Sequence, residues 1–450
     1  MRAKLIVVFM MLAVASSAPR QNQDAESAEP ILPGQVSRNI ERFRKADAAL
    51  RFITPSGAGL GDALVEVRQT SHDFLFGNYI RYIHFTGRTF RHRFKELFNF
   101  ATLLEFNWGQ YETVEGQPKL TERMEIADWC STNNINTMGH MLVWTAHTTG
   151  GPRPSHIPSW LWKYDEATKY KLLERRVKKV VQDFTGKVDT WVVVNEPASC
   201  RVWGDWEEQS WLGNPHRVPI ENVVPYVKDS LRWAHQAHPK ATLLLNDYHL
   251  IDDTSRRKRF RRLVEALKAE GAPISALGIQ AHEERYSWYS PQQLWETYDE
   301  LGSLGYPLYI TEFTVSSSDQ KKIVGKYRRG YWNEDLQAEC AEQFYRLSFG
   351  HPAVRCIVWF GLADHTCWLP ESGVLDKEYR PKKVWHVLKR LIHEEWTTKT
   401  SGRTSPDGAF RFRGFCGRHE VLIHAANGKV LTYRIHVQKN KPNTWTFEVR

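Results

Sequence analysis

The sequence lacks the patterns that usually identify a metal-binding or nucleotide-binding protein. Its six cysteines form no CxxC pair and no zinc-ligand spacing, and its histidines and acidic residues form no HExxH motif. No glycine-rich phosphate loop follows any early strand-like segment. The sequence therefore indicates no metal and no other cofactor. The even number of cysteines allows disulfides but does not assign partners.

Long apolar runs are scarce, and the one near the N-terminus is short. The chain opens with the basic segment MRAK, continues with the apolar run LIVVFMMLAV and then has small residues up to Ala18. This order predicts a secretory signal peptide over residues 1–18, because so short a run does not span a bilayer. We expect a secreted, extracellular monomer with no membrane partner. Residues 19–46 contain much polar sequence, and we predict a disordered leader and linker there.

An excess of positive charge gives the chain a formal net charge of +10. The densest basic run, RRKRFRR at residues 256–262, lies where a surface helix should begin. We interpret this run as the solvated face of a helix rather than as a nucleic-acid-binding stripe, so we expect no nucleic-acid partner. Attraction to an acidic polysaccharide or a cell wall is left open.

Eight short apolar runs divide residues 74–394. Their apolar character is continuous rather than alternating, as strands that are buried on both faces require. A longer amphipathic stretch follows each run, and eight such units predict an α/β fold closed into a (β/α)8 TIM barrel. The competing fold is an open doubly wound sheet. The runs are FLFGNYI (74–80), NFATLLE (99–105), INTMGHMLVW (135–144), VDTWVVVNE (188–196), ATLLLNDYH (241–249), SALGIQAH (275–282), PLYITEF (307–313) and RCIVWFGLAD (355–364).

The amphipathic stretches carry the end signals of helices. Ser and Asp residues precede three of them as N-caps, and glycine follows three of them as a C-terminal stop. These residues are Asp165, Asp253 and Ser290 at the starts, and Gly186, Gly271 and Gly305 after the ends. The helices are predicted near residues 89–98, 120–132, 165–184, 219–237, 254–270, 290–304, 334–349 and 381–393.

Two β-rich pieces flank the predicted barrel. Residues 47–73 hold two strand-like segments around a glycine-rich turn, and we predict a β-hairpin packed on the barrel. Residues 395–450 alternate polar and apolar residues between turn sequences, which predicts a small β-sandwich-like module. We expect this module to be dispensable for chemistry because it supplies no strand to the barrel.

Two glutamates close the fourth and seventh apolar runs. Glu196 follows VVVN, and Glu312 follows YIT. In a barrel of this kind the active site is built at the C-terminal ends of the strands. Glycoside hydrolysis needs two carboxyl groups there, one to protonate the leaving oxygen and one to attack the anomeric carbon. The pair therefore favours a glycosidase over two structural carboxylates.

Other polar and aromatic residues end neighbouring runs and are candidates for substrate binding. Aromatic faces pack against the C–H faces of pyranose rings, although most aromatic residues in any protein belong to the core. Histidines at a barrel mouth are more often functional than histidines elsewhere. The candidates are His140, Trp144, Asn246, Asp247, Gln280, His282, Trp359 and Trp368.

The order of these segments resembles glycoside hydrolase family 10. GHMLVWTAH, WVVVNEP, LLLNDY, GIQAH, ITEF and VWFGLADHTCWL follow one another as that family's segments do, from about residue 72 to residue 393. The resemblance implies a retaining enzyme that cleaves β-1,4-xylan, with Glu196 as acid/base and Glu312 as nucleophile. It implies that His282 keeps the nucleophile ionised by hydrogen bonding. The sugar-binding positions of the family match Asn107, His140, Asn195, Gln280 and His282.

The chain departs from the family pattern beside the expected cleavage point. FNWGQYE at residues 106–112 places Gln110, a further candidate for substrate binding, where the family has a lysine. Other departures are Tyr111, Thr145, Val192 and Phe313. The predicted partner is xylan or a related β-1,4-glycan. The alternatives are a β-1,4-glucanase or mixed-linkage glucanase that uses the same carboxylates, and a catalytically silent carbohydrate-binding relative.

Overall fold

The computed structural model describes residues 33–145, 156–199, 218–325, 327–424 and 428–450. The predicted signal peptide and residues 19–32 of the predicted leader lie outside these residues. The helices are α1 (Pro33–Arg44), α2 (Tyr82–Phe85), α3 (Arg88–Leu97), α4 (Trp108–Tyr111), α5 (Leu120–Thr132), α6 (Glu166–Asp183), α7 (Ile220–Ala237), α8 (Thr254–Ala269), α9 (Pro291–Gly302), α10 (Glu334–Gly350) and α11 (Lys383–Arg390). The strands are β1 (Lys45–Ile53), β2 (Leu64–His72), β3 (Leu75–Ile80), β4 (Phe100–Leu103), β5 (Asn136–Val143), β6 (Thr190–Asn195), β7 (Thr242–Asp247), β8 (Ala276–Ile279), β9 (Leu308–Phe313), β10 (Lys322–Ile323), β11 (Gly330–Tyr331), β12 (Val354–Trp359), β13 (Lys399–Arg403), β14 (Ala409–Phe415), β15 (Gly417–His424), β16 (Val430–Val437) and β17 (Thr444–Glu448).

Eight parallel strands close a barrel in the order β12-β3-β4-β5-β6-β7-β8-β9. Seven of them lie within an apolar run, and β12 begins one residue before its run, so the predicted (β/α)8 barrel is confirmed. The strands are apolar throughout because both of their faces are buried. In β6, for example, Val192 joins the cluster inside the barrel, whereas Trp191 and Val193 belong to the cluster shared with the surrounding helices.

The helices that follow the strands begin and end close to the predicted positions. The Asp165 carboxylate accepts the backbone N–H of Thr168 at the start of α6, and Asp253 caps α8 in the same way. The basic run at residues 256–262 lies in α8. Its Arg257 pairs with Glu300 at 2.6 Å, so part of the run is neutralised against the neighbouring helix.

Residues 33–46 are ordered, and the prediction of a disordered linker there is wrong. They form α1 and the start of β1. The guanidinium of Arg44 is buried and donates to the backbone oxygens of Phe349, His351 and Val354 at 2.7–2.8 Å. A buried arginine whose N–H groups are satisfied by carbonyls fixes the segment on the barrel. Polar composition alone did not reveal these contacts, because all of the acceptors are distant in sequence.

The predicted hairpin over residues 47–73 is also wrong. Strands β1 and β2 lie in different sheets, with the orders β14-β1-β17 and β13-β2-β15-β16. The N-terminal strands and the C-terminal module therefore form one β-sandwich. An isolated two-stranded hairpin is marginally stable, whereas pairing with the C-terminal strands gives each segment two neighbours.

Alternate residues of the sandwich strands fill its core. In β1 the buried positions include Ala48, Leu50 and Phe52, and in β2 they include Val65 and Val67. The C-terminal strands contribute residues to the same cluster, and the period of two matches the prediction of β-structure from alternation. These further members are Phe410, Phe412, Val421, Ile423, Ile435 and Val437.

Five of the six cysteines lie within the described ranges, and Cys200 lies outside those ranges. The sequence left disulfide pairing open, and none is formed among these five. Over the described parts of the chain, no helix has both the length and the apolar character needed to cross a bilayer.

We predict that deleting residues 395–450 destabilises the protein although the barrel keeps its own eight strands. The deletion leaves β1 without β14 and β17, and it leaves β2 without β13 and β15, so it exposes unpaired backbone. The midpoint of thermal unfolding should fall by more than about 5 °C, which differential scanning calorimetry measures. An unchanged midpoint would contradict the assignment of one shared sandwich.

Candidate active site

The chain turns sharply where several barrel strands end. Four non-glycine residues just past β4, β6, β7 and β8 have a left-handed backbone conformation, with φ between 55° and 69°. Such residues cost about 1–3 kcal/mol each and concentrate at functional sites. One of them is Glu196, whose side chain is placed at the C-terminal rim of the barrel by this turn. The others are Glu105, His249 and Ala281.

Asn246, at the end of β7, links the two predicted catalytic glutamates. Its amide nitrogen donates to Asn195 Oδ1 and to Glu312 Oε1, both at 2.8 Å. Its backbone oxygen accepts the N–H of Glu196 at 2.6 Å, and its side-chain oxygen accepts the hydroxyl of Thr311 at 2.6 Å. Every polar atom of this buried side chain is thus used. The arrangement fixes Glu196 and Glu312 relative to one residue.

Glu312 is buried and surrounded by groups that favour its ionised form. His282 Nε2 lies 2.9 Å from Oε2, and His140 Nε2 lies 3.9 Å from Oε1. Burial by itself would raise the pKa of Glu312, but His140, His282 and the amide of Asn246 outweigh it and lower the pKa below its usual range. His282 Nδ1 lies 3.0 Å from the hydroxyl of Thr314, which orients the ring. The site therefore holds an ionised carboxylate that can act as a nucleophile.

Among the residues that the structure describes, Glu196 has a different environment from Glu312, because a neutral donor contacts each of its carboxyl oxygens. Trp144 Nε1 donates to Oε2, and Gln280 Nε2 donates to Oε1, both at 3.0 Å. The ring of Trp144 stacks on His156 with a centroid separation of 3.7 Å. Neutral amide and indole donors orient a carboxyl group without supplying a positive charge to it. This is what an acid that must exchange a proton requires.

A buried carboxylate and an arginine brace the segment that follows β6. Asp247 Oδ2 accepts the N–H of Ala198 at 2.8 Å, and burial raises the pKa of Asp247 to about 6. Arg259, from the basic run in α8, donates to the backbone oxygens of Ala198 and Val218 at 2.8 and 2.6 Å. One residue of the run that was interpreted as a solvated face is thus buried. Sequence reasoning missed it, since each acceptor is a backbone carbonyl.

Asn107 and Gln110 lie together after β4, where the resemblance placed a sugar-binding pair. Asn107 caps α4 by accepting the backbone N–H of Gln110 at 3.0 Å, and its amide also donates to the side chain of Gln110. Asn107 is buried, whereas Gln110 is partly exposed. A lysine at position 110 could not accept that hydrogen bond, because an ammonium group only donates.

The prediction that Trp359 contacts the substrate is wrong. Its side chain is 0% exposed, and its indole donates to the backbone oxygen of Ser372 at 2.9 Å. The pairing register of β12 with β9 shifts between Ile357 and Trp359, which changes the side of the sheet that the next residues face. Phe360 faces the site instead, with its ring 5.2 Å from that of His282. A run of adjacent aromatic residues does not reveal such a shift.

Trp368 also lies beside His282, and it is more exposed than Phe360. Its side chain is 43% exposed, and its ring is 4.9 Å from that of His282. The guanidinium of Arg285 lies 5.5 Å from its centroid. Trp359 at the end of β12 and Trp368 in the following loop were both predicted to bind substrate. Of these two, only Trp368 is placed to stack on a ligand. Phe360 is the residue beside His282 that the sequence-based candidates should have included.

Residues 67–390, which are more than half of the chain, match the model of Glycosyl hydrolase family 10. This range spans all eight barrel strands and every sequence-predicted site residue. The resemblance inferred from the ordered motifs is confirmed.

The curated relatives are similar at modest identity. Endo-1,4-beta-xylanase 1 of Arabidopsis thaliana is 27% identical over 403 residues, covering 88% of this chain and 38% of that protein. The anti-sigma-I factor RsgI6 of Acetivibrio thermocellus is 24% identical over 422 residues, covering 92% of this chain and 50% of that protein. Thus the chain spans half or less of the length of these relatives.

Solved structures share the barrel. Xylanase 10B from Thermotoga petrophila RKU-1 in complex with xylobiose has a TM-score of 0.58 at 21% identity, covering 72% of this chain and 95% of that chain. A xylanase of Thermobacillus composti has a TM-score of 0.55 at 22% identity, covering 71% of this chain and 96% of that chain. This likeness supports the fold.

We predict that His282→Leu moves the acidic limb of the pH profile upward. The substitution removes a donor that stabilises ionised Glu312, so the pKa of Glu312 rises and protonation inactivates the site at a higher pH. The acidic limb of kcat/KM should shift by about one pH unit, because a hydrogen bond to a charged group is worth about 1.5–3 kcal/mol.

His282→Gln is the matched control. Its amide can donate to the same carboxylate, so the acidic limb of this variant should stay close to its wild-type position. An acidic limb that is identical in wild type and His282→Leu would contradict the role assigned to His282. Measurement of kcat/KM on an aryl xyloside between pH 3 and pH 8 would decide between the two outcomes.

Proposed function

Because the chain belongs to glycosyl hydrolase family 10, we propose that it is a secreted endo-1,4-β-xylanase that hydrolyses xylan with retention of anomeric configuration. The observation that carries the proposal is the Asn246 amide, which donates to Glu312 while the Asn246 carbonyl holds the backbone of Glu196. It supports a single site in which two carboxyl groups have different protonation environments. Double displacement requires this difference.

In the first step Glu312 attacks the anomeric carbon, and the bond from that carbon to the glycosidic oxygen breaks. Glu196 gives its proton to this oxygen, so the leaving chain departs as an alcohol. The lowered pKa of Glu312 keeps the attacking oxygen unprotonated. The product of this step is a glycosyl ester on Glu312, and Glu196 is left as a carboxylate.

In the second step the Glu196 carboxylate accepts a proton from a water molecule. The oxygen of that water attacks the anomeric carbon, the ester bond breaks, and Glu312 leaves as a carboxylate. The two inversions restore the original configuration. Trp144 and Gln280 keep the carboxyl group of Glu196 in one orientation in both steps, since each donates to one of its oxygens.

The aromatic residues that line the site support a preference for xylose over glucose as the bound sugar. Xylose lacks the exocyclic hydroxymethyl group of glucose, so a site that fills this space excludes glucose. Trp368 is exposed beside His282, and Phe360 packs edge-to-face against the same ring. These two aromatic residues take the role that sequence reasoning gave to Trp359 and Trp368.

A second candidate function is carbohydrate binding without hydrolysis. The match to a protein named as an anti-sigma-I factor shows that relatives of this chain are not all named as hydrolases. Against this candidate, Glu312 is held by His282 and Asn246 in a charged form that binding alone does not need. A glucanase with the same two carboxylates is the other alternative.

Product analysis tests the proposal. The purified protein should release reducing sugars from xylan, and proton NMR of the first products should show the β configuration. The two carboxyl groups should lie about 5–5.5 Å apart, as direct attack requires. Absence of reducing sugar from xylan, cellulose and lichenan would favour the binding function. Initial α products would contradict retention.

Secretion is part of the proposal and rests on residues 1–18, which lie outside the described ranges. Expression of the full chain in eukaryotic cells should give a mature protein that begins near residue 19. Mass spectrometry of the medium and of the cells would detect the cleavage. An intact N-terminus on protein retained in the cells would contradict secretion.

We predict that the two glutamates respond differently to substitution. Glu312→Ala should lose essentially all hydrolysis of every substrate, since no covalent intermediate forms. Glu196→Ala should lose about 10²–10⁴-fold on xylan but retain activity on aryl glycosides whose leaving groups need little protonation. Steady-state kinetics on xylan and on a dinitrophenyl glycoside would separate them. Equal losses on both substrates for both variants would contradict the assignment of roles.

We predict that Gln110→Lys increases activity on xylo-oligosaccharides. A charged donor at this position forms a hydrogen bond roughly twice as strong as a neutral one, so kcat/KM should rise about fivefold. Gln110→Met, which has similar length and no charge, is the control and should not increase it. Wild-type activity on cello-oligosaccharides that equals activity on xylo-oligosaccharides of the same length would contradict the xylan assignment.

A further inference from the structure

Three potential metal ligands meet beside the catalytic site, in the loops that follow β7 and β8. His249 and Asp252 belong to the first loop, and Glu283 belongs to the second. One ligand atom from each residue lies within 4.8 Å of the other two. His249 Nδ1 lies 2.9 Å from Asp252 Oδ1 and 3.7 Å from Glu283 Oε1. None of the three takes part in the hydrolysis derived above.

Glu283 carries the strongest indication of a missing ligand. Its side chain is 1% exposed, and its Oε1 accepts the backbone N–H of His249 at 2.6 Å. Its Oε2 is buried and has no hydrogen-bond partner within the described ranges. A buried carboxylate oxygen without a partner is costly, and native structures usually explain it by an ion or a water molecule.

A protonated His249 is the competing explanation for the cluster. It accounts for the contact with Asp252, because Nδ1–H can donate to that carboxylate. The same hydrogen cannot also reach Glu283, since 3.7 Å is too long for a hydrogen bond. An imidazolium therefore leaves Oε2 of Glu283 unexplained.

We propose that His249, Asp252 and Glu283 bind a divalent transition-metal cation, for which Zn²⁺ fits best. Zinc binds imidazole nitrogen and carboxylate oxygen at about 2.0–2.2 Å in a tetrahedron, which places neighbouring ligands about 3.4 Å apart. The distances from His249 Nδ1 to Asp252 Oδ1 (2.9 Å) and to Glu283 Oε1 (3.7 Å) bracket this value, and Oε2 of the same Glu283 carboxylate is the oxygen left without a partner among the described residues. Calcium and magnesium prefer six or more oxygen ligands, so a histidine disfavours them.

Among the described residues, the exposed side of the cluster is the side formed by His249 and Asp252. The side chains of His249 and Asp252 are each 26% exposed, whereas Glu283 is enclosed. Water can therefore reach the open side and complete the coordination. The backbone N–H of His249 supports Glu283 as a ligand from the closed side.

A bound cation would also anchor the turn that carries the histidine of the nucleophile. Glu283 directly follows His282, which contacts Glu312 at 2.9 Å. The cation would hold the β7 and β8 loops together without touching the substrate. Binding to the folded state alone would then raise the thermal stability of the protein.

The test is titration of the metal-stripped full-length protein with ZnCl₂ by calorimetry. We expect one zinc ion per chain, and we expect Glu283→Gln and Asp252→Asn each to weaken binding at least about tenfold. Gln at position 283 keeps an acceptor for the His249 N–H, and Asp252 is solvent-exposed, so both variants should fold. His436→Gln is the matched control, because His436 pairs with Asp73 at 2.7 Å outside this cluster.

Cobalt provides a second readout, since a four-coordinate site gives intense visible absorption that Glu283→Gln and Asp252→Asn should both lose. Zinc binding that is absent, or unchanged in Glu283→Gln and Asp252→Asn, would overturn the proposal. The outcome is separate from the proposed hydrolase activity. A protein that binds one zinc ion through these residues but does not cleave xylan would retain the site and contradict only the hydrolase proposal.

Discussion

The geometry of the candidate site depends on the hydrogen bonds made by Asn246. Through its side chain and its backbone this residue contacts Asn195, Glu196, Thr311 and Glu312, which come from two other strands of the barrel. The two carboxyl groups that the chemistry needs are far apart in sequence, and one buried amide fixes both. Because the amide donates and does not accept at Glu312, it selects the ionised form of that carboxylate. Asn246 contacts Glu196, by contrast, through the backbone N–H of Glu196.

The neighbouring strand makes space for this residue. A Cβ atom at Gly278 in β8 would lie 2.4 Å from Asn246 Oδ1, which is closer than such atoms can approach. Glycine at position 278 is therefore required for the orientation of Asn246, and through it for the position of Glu312. The short motif GIQAH thus contributes the side chains of Gln280 and His282, and its glycine leaves the space that Asn246 occupies. This couples the packing of the barrel wall to the geometry of the site.

The sequence was sufficient to predict the barrel, its helices and most of the rim. The barrel strands and helices can be predicted from one chain, because their hydrophobic patterns are local. The sandwich could not be predicted, because β1 and β2 pair with strands more than 300 residues away. Trp359 was misplaced for a different reason: the irregular register of β12 changes which of two adjacent aromatic residues faces the site. Contacts made by backbone carbonyls, such as those of Arg44 and Arg259, leave no signal in the sequence.

We propose that this network makes Glu312 the nucleophile and leaves Glu196 to exchange protons. Mass spectrometry of peptides after incubation with a 2-deoxy-2-fluoro xylobioside that carries an activated leaving group tests this assignment. We expect one fluoroglycosyl group per chain, bound as an ester to Glu312. A label on Glu196, or turnover of the reagent with inverted products and no labelled peptide, would contradict it.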